Sequence, residues 1–165
     1  MTRGPTRDQR SSQFEIALSN QQMRHPVDEE RLCEAARAVL TDSHFASANI
    51  SIAVVDDPSI HELNRRYLDH DWPTDVLSFV LDEQTDHLEG EVIISADTAM
   101  RAAAEAGWPA AAEQLLYVIH GTLHLVGYRD KTPADAQKMR AAEAKYLRQL
   151  DFGPSPKVRG GATAR

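Results

Sequence analysis

The stretch from Leu115 to Val126 is apolar at nearly every position and contains two histidines, His120 and His124. This composition predicts a helix that is apolar all round, which is typical of a helix buried on every side. A helix of this kind needs other elements packed around it, so we expect it at the centre of the fold. The two imidazoles need polar partners there, because an unpaired buried polar group costs about 1–3 kcal/mol.

The remaining periodicity predicts an α+β fold, a single domain with a mixed sheet of about four strands packed against helices. Alternating or β-branched runs predict strands at 14–18, 50–55, 76–81 and 91–95, with an acidic loop over 83–89. Helices are predicted to begin at Asp28, at the turn 56–59, at Ser95 or Asp97, at Trp108-Pro109 and at Thr132. Gly107 and Gly127 are predicted to end two of them.

We assign residues 13–151 to one catalytic metal-binding domain and predict disordered tails over 1–12 and 152–165, which are polar or rich in glycine and proline. The single cysteine, Cys33, excludes an internal disulfide scaffold and a cysteine-rich zinc module. No apolar run approaches the roughly 20 residues of a membrane span, and no secretory signal is evident, so we expect a cytoplasmic protein. The net charge of −7 argues mildly against a protein that coats nucleic acid.

The histidine pair predicts a metal site. His120 and His124 are four residues apart, which places both rings on one helix face where they can share an ion. Gly127 ends the helix, and Asp130 lies in the short connection before the next one, so its carboxylate can return as a third ligand. Three protein ligands with an open position are typical of catalytic zinc. Mn²⁺, Ni²⁺ and Fe²⁺ remain possible by ligand type, and Asp135 or a water molecule could replace Asp130.

The spacing of these three residues is also that of the metzincin peptidases. Those enzymes carry a glutamate directly after the first histidine, as general base. Here that position is Gly121, which has no side chain. A metallopeptidase is therefore a minor alternative.

Three ordered segments resemble the YbeY family of bacterial metal-dependent endoribonucleases, which are implicated in rRNA maturation. HGTLHLVGYRD over 120–130 resembles the signature H-G-x-L-H-L-x-G-Y-D-H. PTDVLSF over 73–79 matches a family block, and LEGEVIIS over 88–95 resembles another. The resemblance implies a single-strand-preferring endoribonuclease in rRNA processing and ribosome quality control. It also implies one Zn²⁺ ion on His120, His124 and Asp130, and RNA, either rRNA or the small ribosomal subunit, as partner.

The chain departs from the family pattern in two places. Asp130 replaces the third histidine, with Arg129 before it, so the bound dication would carry a net +1 instead of +2 and act as a weaker Lewis acid. Leu68 occupies the usual position of an arginine five residues before Pro73; Arg65 or Arg66 could reach that space, although a solvated helix face is the simpler interpretation. These departures motivate an alternative, a ribosome-associated assembly factor with a mainly structural metal site.

The acidic total and an RNA substrate are compatible if charge is unevenly distributed. Four carboxylates lie within 83–91, while arginines lie near Arg65 and in the tails. We therefore expect local RNA binding at a metal cleft, weak without a ribosome or partner to present the RNA.

Overall fold

A computed structural model of the protein describes Gly4, Thr6 and residues 13–68 and 74–153. The two tails lie almost entirely outside these residues, so their disorder stays a prediction. Pro73, the first residue of the family-like segment 73–79, also lies outside the described residues.

The described residues contain the predicted alternation of strands and helices. The strands are β1 (Phe14–Asn20), β2 (Ser47–Val55), β3 (Val76–Glu83) and β4 (His87–Ser95). The helices are α1 (Glu29–Thr41), α2 (Asp57–Leu68), α3 (Ala96–Ala106), α4 (Ala110–Leu125) and α5 (Pro133–Gln149). Within the described ranges, none of the helices is long and apolar enough to cross a bilayer.

The strands form one mixed sheet in the order β1-β2-β4-β3. β1, β2 and β4 run parallel, and β3 pairs antiparallel with β4 at the edge. The α+β fold with a mixed four-stranded sheet is thus confirmed. The predicted start of the fourth strand was four residues late, because Gly90 is a paired strand residue between Ile50 and Val80 and not the end of a loop.

The predicted helix caps are present. The side chains of Asp28, Ser95 and Thr132 each accept a hydrogen bond from a backbone N–H three residues later. Of the two candidates before α3, Ser95 is the cap. Gly107 follows α3 with φ +75°, and Gly127 lies just beyond α4 with φ +109°, the left-handed conformation that glycine adopts at low cost.

The helices cover the two sheet faces unequally. α1, α3, α4 and α5 contribute to the large core on one face, and α4 is buried along most of its length, as predicted. On the opposite face, Ile60 and Leu63 of α2 pack over a small apolar cluster. Tyr67, near the end of α2, is 60% exposed.

α4 approaches the sheet closely at two glycines. A Cβ atom on Gly121 would lie 2.6 Å from a Val92 methyl and 3.0 Å from the Ser78 hydroxyl. On the sheet side, a Cβ on Gly90 would lie 2.9 Å from a methyl of Leu125. The absence of these side chains lets the helix lie against β3 and β4, which fixes the direction in which its other faces point.

Candidate metal centre

His120 and His124 lie one turn apart on α4, with ring centroids 4.6 Å from each other. His120 is only 3% exposed, whereas the side chain of His124 is 20% exposed. The pair therefore runs from the protein interior toward the surface.

The chain returns toward the histidines directly after α4. The N–H of Gly127 donates to the carbonyl of His124, and the N–H of Tyr128 donates to the carbonyl of Leu123. These two bonds form a Schellman motif, which reverses the chain at a left-handed glycine. The reversal places Asp130 beside the helix face that carries the histidines.

The donor atoms of the three residues converge. Asp130 Oδ2 lies 3.5 Å from His120 Nε2 and 3.3 Å from His124 Nε2. All three candidate ligand atoms lie within 4.8 Å of one another. Within the described ranges this is the one such group of histidine, cysteine or carboxylate residues, and Asp135, the alternative third ligand, is outside it.

The opposite ring nitrogens face acceptors. His120 Nδ1 is 3.4 Å from Oε2 of Glu143 on α5, and His124 Nδ1 is 3.0 Å from the carbonyl oxygen of Tyr128. An acceptor at Nδ1 favours the tautomer with the proton on Nδ1, which leaves the Nε2 lone pair available. Both lone pairs then point toward Asp130.

These distances fit a divalent metal. Two ligand atoms about 2.0–2.1 Å from one ion at the tetrahedral angle lie about 3.3–3.4 Å apart, close to the two nitrogen–oxygen distances here. Two imidazoles and a carboxylate are a donor set suited to Zn²⁺ and to other first-row dications. The group of His120, His124 and Asp130 could therefore bind a metal.

Gly121 is on the sheet side of α4 and not on the metal side. The atoms nearest a Cβ at this position belong to Val92, Ser78 and Val76, so a glutamate here would collide with the sheet. The peptidase general base is therefore missing from the sequence, and the position that would carry it is packed against β3 and β4.

The arginines of α2 form ion pairs on their own helix. Arg65 and Arg66 both contact Glu62, at 2.7 and 3.3 Å, and all three side chains are largely exposed. Hydrogen bonds from Arg65 hold the pKa of Glu62 below its ordinary value. This arrangement agrees with the solvated helix face that the sequence favoured. Leu68 is the last residue of α2, next to the undescribed segment 69–73.

Sequence reasoning missed Glu143 and the Tyr128 carbonyl. The backbone carbonyl leaves no signal in the sequence. Glu143 does leave one, because it lies within the apolar stripe of α5 formed by Met139, Ala142, Tyr146 and Leu147. A carboxylate in such a stripe needs a buried partner.

The chain is similar in sequence to proteins of one family. A family model described as Endoribonuclease YbeY matches residues 17–151. An Endoribonuclease YbeY from Syntrophotalea carbinolica is 40% identical over 142 residues, covering 82% of this chain and 95% of the relative. One from Moorella thermoacetica is 40% identical over 149 residues, covering 81% and 96%.

A solved structure has the same fold. The solution structure of TM1509 from Thermotoga maritima aligns with a TM-score of 0.55 and 25% sequence identity. The alignment covers 90% of this chain and 98% of that one. The similarity therefore extends over the described sheet and its helices and is not confined to the histidine motif.

Proposed function

The chain belongs to the YbeY family of endoribonucleases, and on that premise we propose that it cleaves single-stranded RNA at a metal ion held by His120, His124 and Asp130. The convergence of two Nε2 atoms on one Asp130 oxygen carries the proposal. Zn²⁺ is the proposed ion, because imidazole and carboxylate ligands with an open position are typical of catalytic zinc.

The bound ion would supply Lewis acidity toward a phosphodiester and lower the pKa of a water molecule. The residues of the chain hold that ion and shape access to it. His120 forms the buried side of the site, while His124 and Asp130, with side chains 20% and 26% exposed, form the side nearer solvent. Substrate is therefore expected to approach past His124 and Asp130.

The proposed substrate is ribosomal RNA during maturation and ribosome quality control, with the small subunit as the partner that presents it. This places the proposed activity in the cytoplasm. The net charge of −7 favours weak binding to free RNA, since phosphate contacts normally come with a basic excess. Tight, sequence-independent binding to free RNA at physiological salt would contradict this part of the proposal.

A second candidate, an assembly factor with a structural metal site, is favoured by one observation. Asp130 brings a negative charge to the ion, which lowers its Lewis acidity. The two candidates differ in whether RNA is cut.

The test is cleavage of a single-stranded RNA and its duplex by metal-loaded protein, with His124→Ala as control. We expect the single strand to be cut by the unchanged protein and not by the variant. Equal cleavage by the unchanged protein and by His124→Ala would contradict the proposed endoribonuclease activity. The product ends identify the nucleophile, because a 2′,3′-cyclic phosphate means attack by the substrate 2′-hydroxyl and a plain hydrolytic end means attack by water.

A further inference from the structure

Glu143 is a charged residue in an otherwise apolar part of α5. It is 5% exposed and lies between the buried residues Met139 and Tyr146. A buried carboxylate is costly unless it is paired, so the burial of Glu143 requires a specific partner.

That partner is His120. In the described part of the chain, the polar contact recorded for the Glu143 carboxylate is His120 Nδ1, at 3.4 Å, which is at the long end for a hydrogen bond. The other nitrogen of the same ring lies 3.5 Å from Asp130. The imidazole of His120 is thus held between two carboxylates from different elements.

We propose that Glu143 is a positioning residue that holds His120 with its proton on Nδ1, and so directs Nε2 toward the metal. The inference rests on the metal site proposed above and does not depend on RNA cleavage. Such outer carboxylates fix the tautomer and orientation of a ligating histidine and raise its basicity.

The two histidines obtain the same kind of support in different ways. His124 is near the surface and at the end of α4, where the turning chain offers the Tyr128 carbonyl. His120 lies one turn deeper, so its acceptor has to come from another element, and α5 supplies it from Glu143.

Glu143 also completes the charge balance of the site. The carboxylates of Asp130 and Glu143 together neutralise a dication, whereas one carboxylate would leave a net +1. Burial of the Glu143 charge is then compensated on the metal side, because opposite charges stabilise each other strongly away from water. A neutral occupied centre is a specific consequence of carrying Asp130 and Glu143 together.

The first test compares the metal affinity of Glu143→Ala and Glu143→Gln with that of the unchanged protein, by competition with a chromophoric zinc chelator. We expect Glu143→Ala to bind about 10–100-fold more weakly. Glu143→Gln should lose less metal affinity than Glu143→Ala, because its amide oxygen can still accept a hydrogen bond from His120 Nδ1. Some loss is still expected, because the amide carries no charge. Glu113→Ala is the matched control, because Glu113 is 1% exposed on α4 and accepts a hydrogen bond from Trp108 Nε1.

The outcomes separate the inference from the proposed function. Equal affinity in Glu143→Ala and the unchanged protein would overturn the positioning role, and so would an equal loss in Glu143→Ala and Glu113→Ala. Failure of the unchanged protein to bind metal would instead overturn the proposed function.

A second measurement needs no variant. The ¹⁵N shifts of the neutral His120 imidazole in metal-free protein report which nitrogen carries the proton. We expect the proton on Nδ1, and a proton on Nε2 would refute the inference even if the variants fail to fold.

Discussion

Ser78 on the edge strand β3 donates a hydrogen bond of 3.0 Å from its Oγ to the backbone carbonyl of Gly121, the residue that follows His120. This bond joins a segment resembling one family block to the segment that carries the candidate ligands. With Gly121 packed against the sheet, His120 and His124 lie on a neighbouring face of the helix, directed toward Asp130.

Gly121→Ala is expected to destabilise the protein by about 1–3 kcal/mol, because the added methyl would lie 2.6 Å from Val92 and overpack the helix–sheet contact. Urea unfolding measures the change. Gly153→Ala is the control, since among the described residues a Cβ there meets no atom within 4 Å, so this change should affect stability little. A Gly121→Ala protein as stable as the unchanged one would show that the contact relaxes easily.

Asp130→Ala is expected to weaken metal binding by more than tenfold, because it removes a proposed ligand and not only an outer partner. Asp130→His should retain the metal and cleave RNA at least as fast, since a neutral third imidazole in place of the carboxylate makes the bound ion a stronger Lewis acid. Metal content after dialysis measures metal retention in the two variants, and RNA cleavage rates measure their activity. Unchanged metal binding in Asp130→Ala would remove Asp130 from the ligand set.

Asp57→Asn is expected to lower the free energy of unfolding by about 1 kcal/mol near neutral pH. The expected loss is small because Arg101, the ion-pair partner of Asp57, is largely exposed and solvent screens the pair. Burial raises the pKa of Asp57, but hydrogen bonds from Ser95, Thr98 and Arg101 outweigh it, so the pKa lies below its ordinary value. These bonds tie the start of α2 to the start of α3.

The pH dependence of that effect follows from the direction of the shift. The stability contributed by the Asp57 carboxylate is fully present above the unfolded pKa of about 3.9 and is lost as pH falls through the lower folded pKa. The difference between Asp57→Asn and the unchanged protein should therefore be constant from pH 5 to 7 and shrink below about pH 4. Thermal unfolding across this range measures it, and a difference that grows on acidification would contradict the assigned network.

Local chemistry made much of the fold predictable. Asp28 and Thr132 cap helices at the positions that residue type predicts, and Gly127 ends α4 because its left-handed conformation suits glycine. The helical spacing of His120 and His124 predicted that their rings would lie together. That they lie beside Asp130 depended on a short connection, which limits where the chain can go.

Features that depend on tertiary contacts were not predictable in the same way. The start of β4 at His87 depends on pairing with both β2 and β3, which overrides the tendency of Gly90 and the surrounding acids to form a loop. Glu143 contacts His120, which is 23 residues away in the sequence. The helical periodicity of α5 therefore predicts that Glu143 is buried but does not identify its partner.

Cleavage of a fluorogenic single-stranded RNA, followed while metal-free protein is titrated with Zn²⁺, tests the central claim most directly. The rate should rise with added Zn²⁺ up to one equivalent per chain and then level off, while His124→Ala stays at the background rate throughout. A rate that does not depend on the metal, or one that rises equally in His124→Ala, would contradict a metal-dependent endoribonuclease centred on His120, His124 and Asp130.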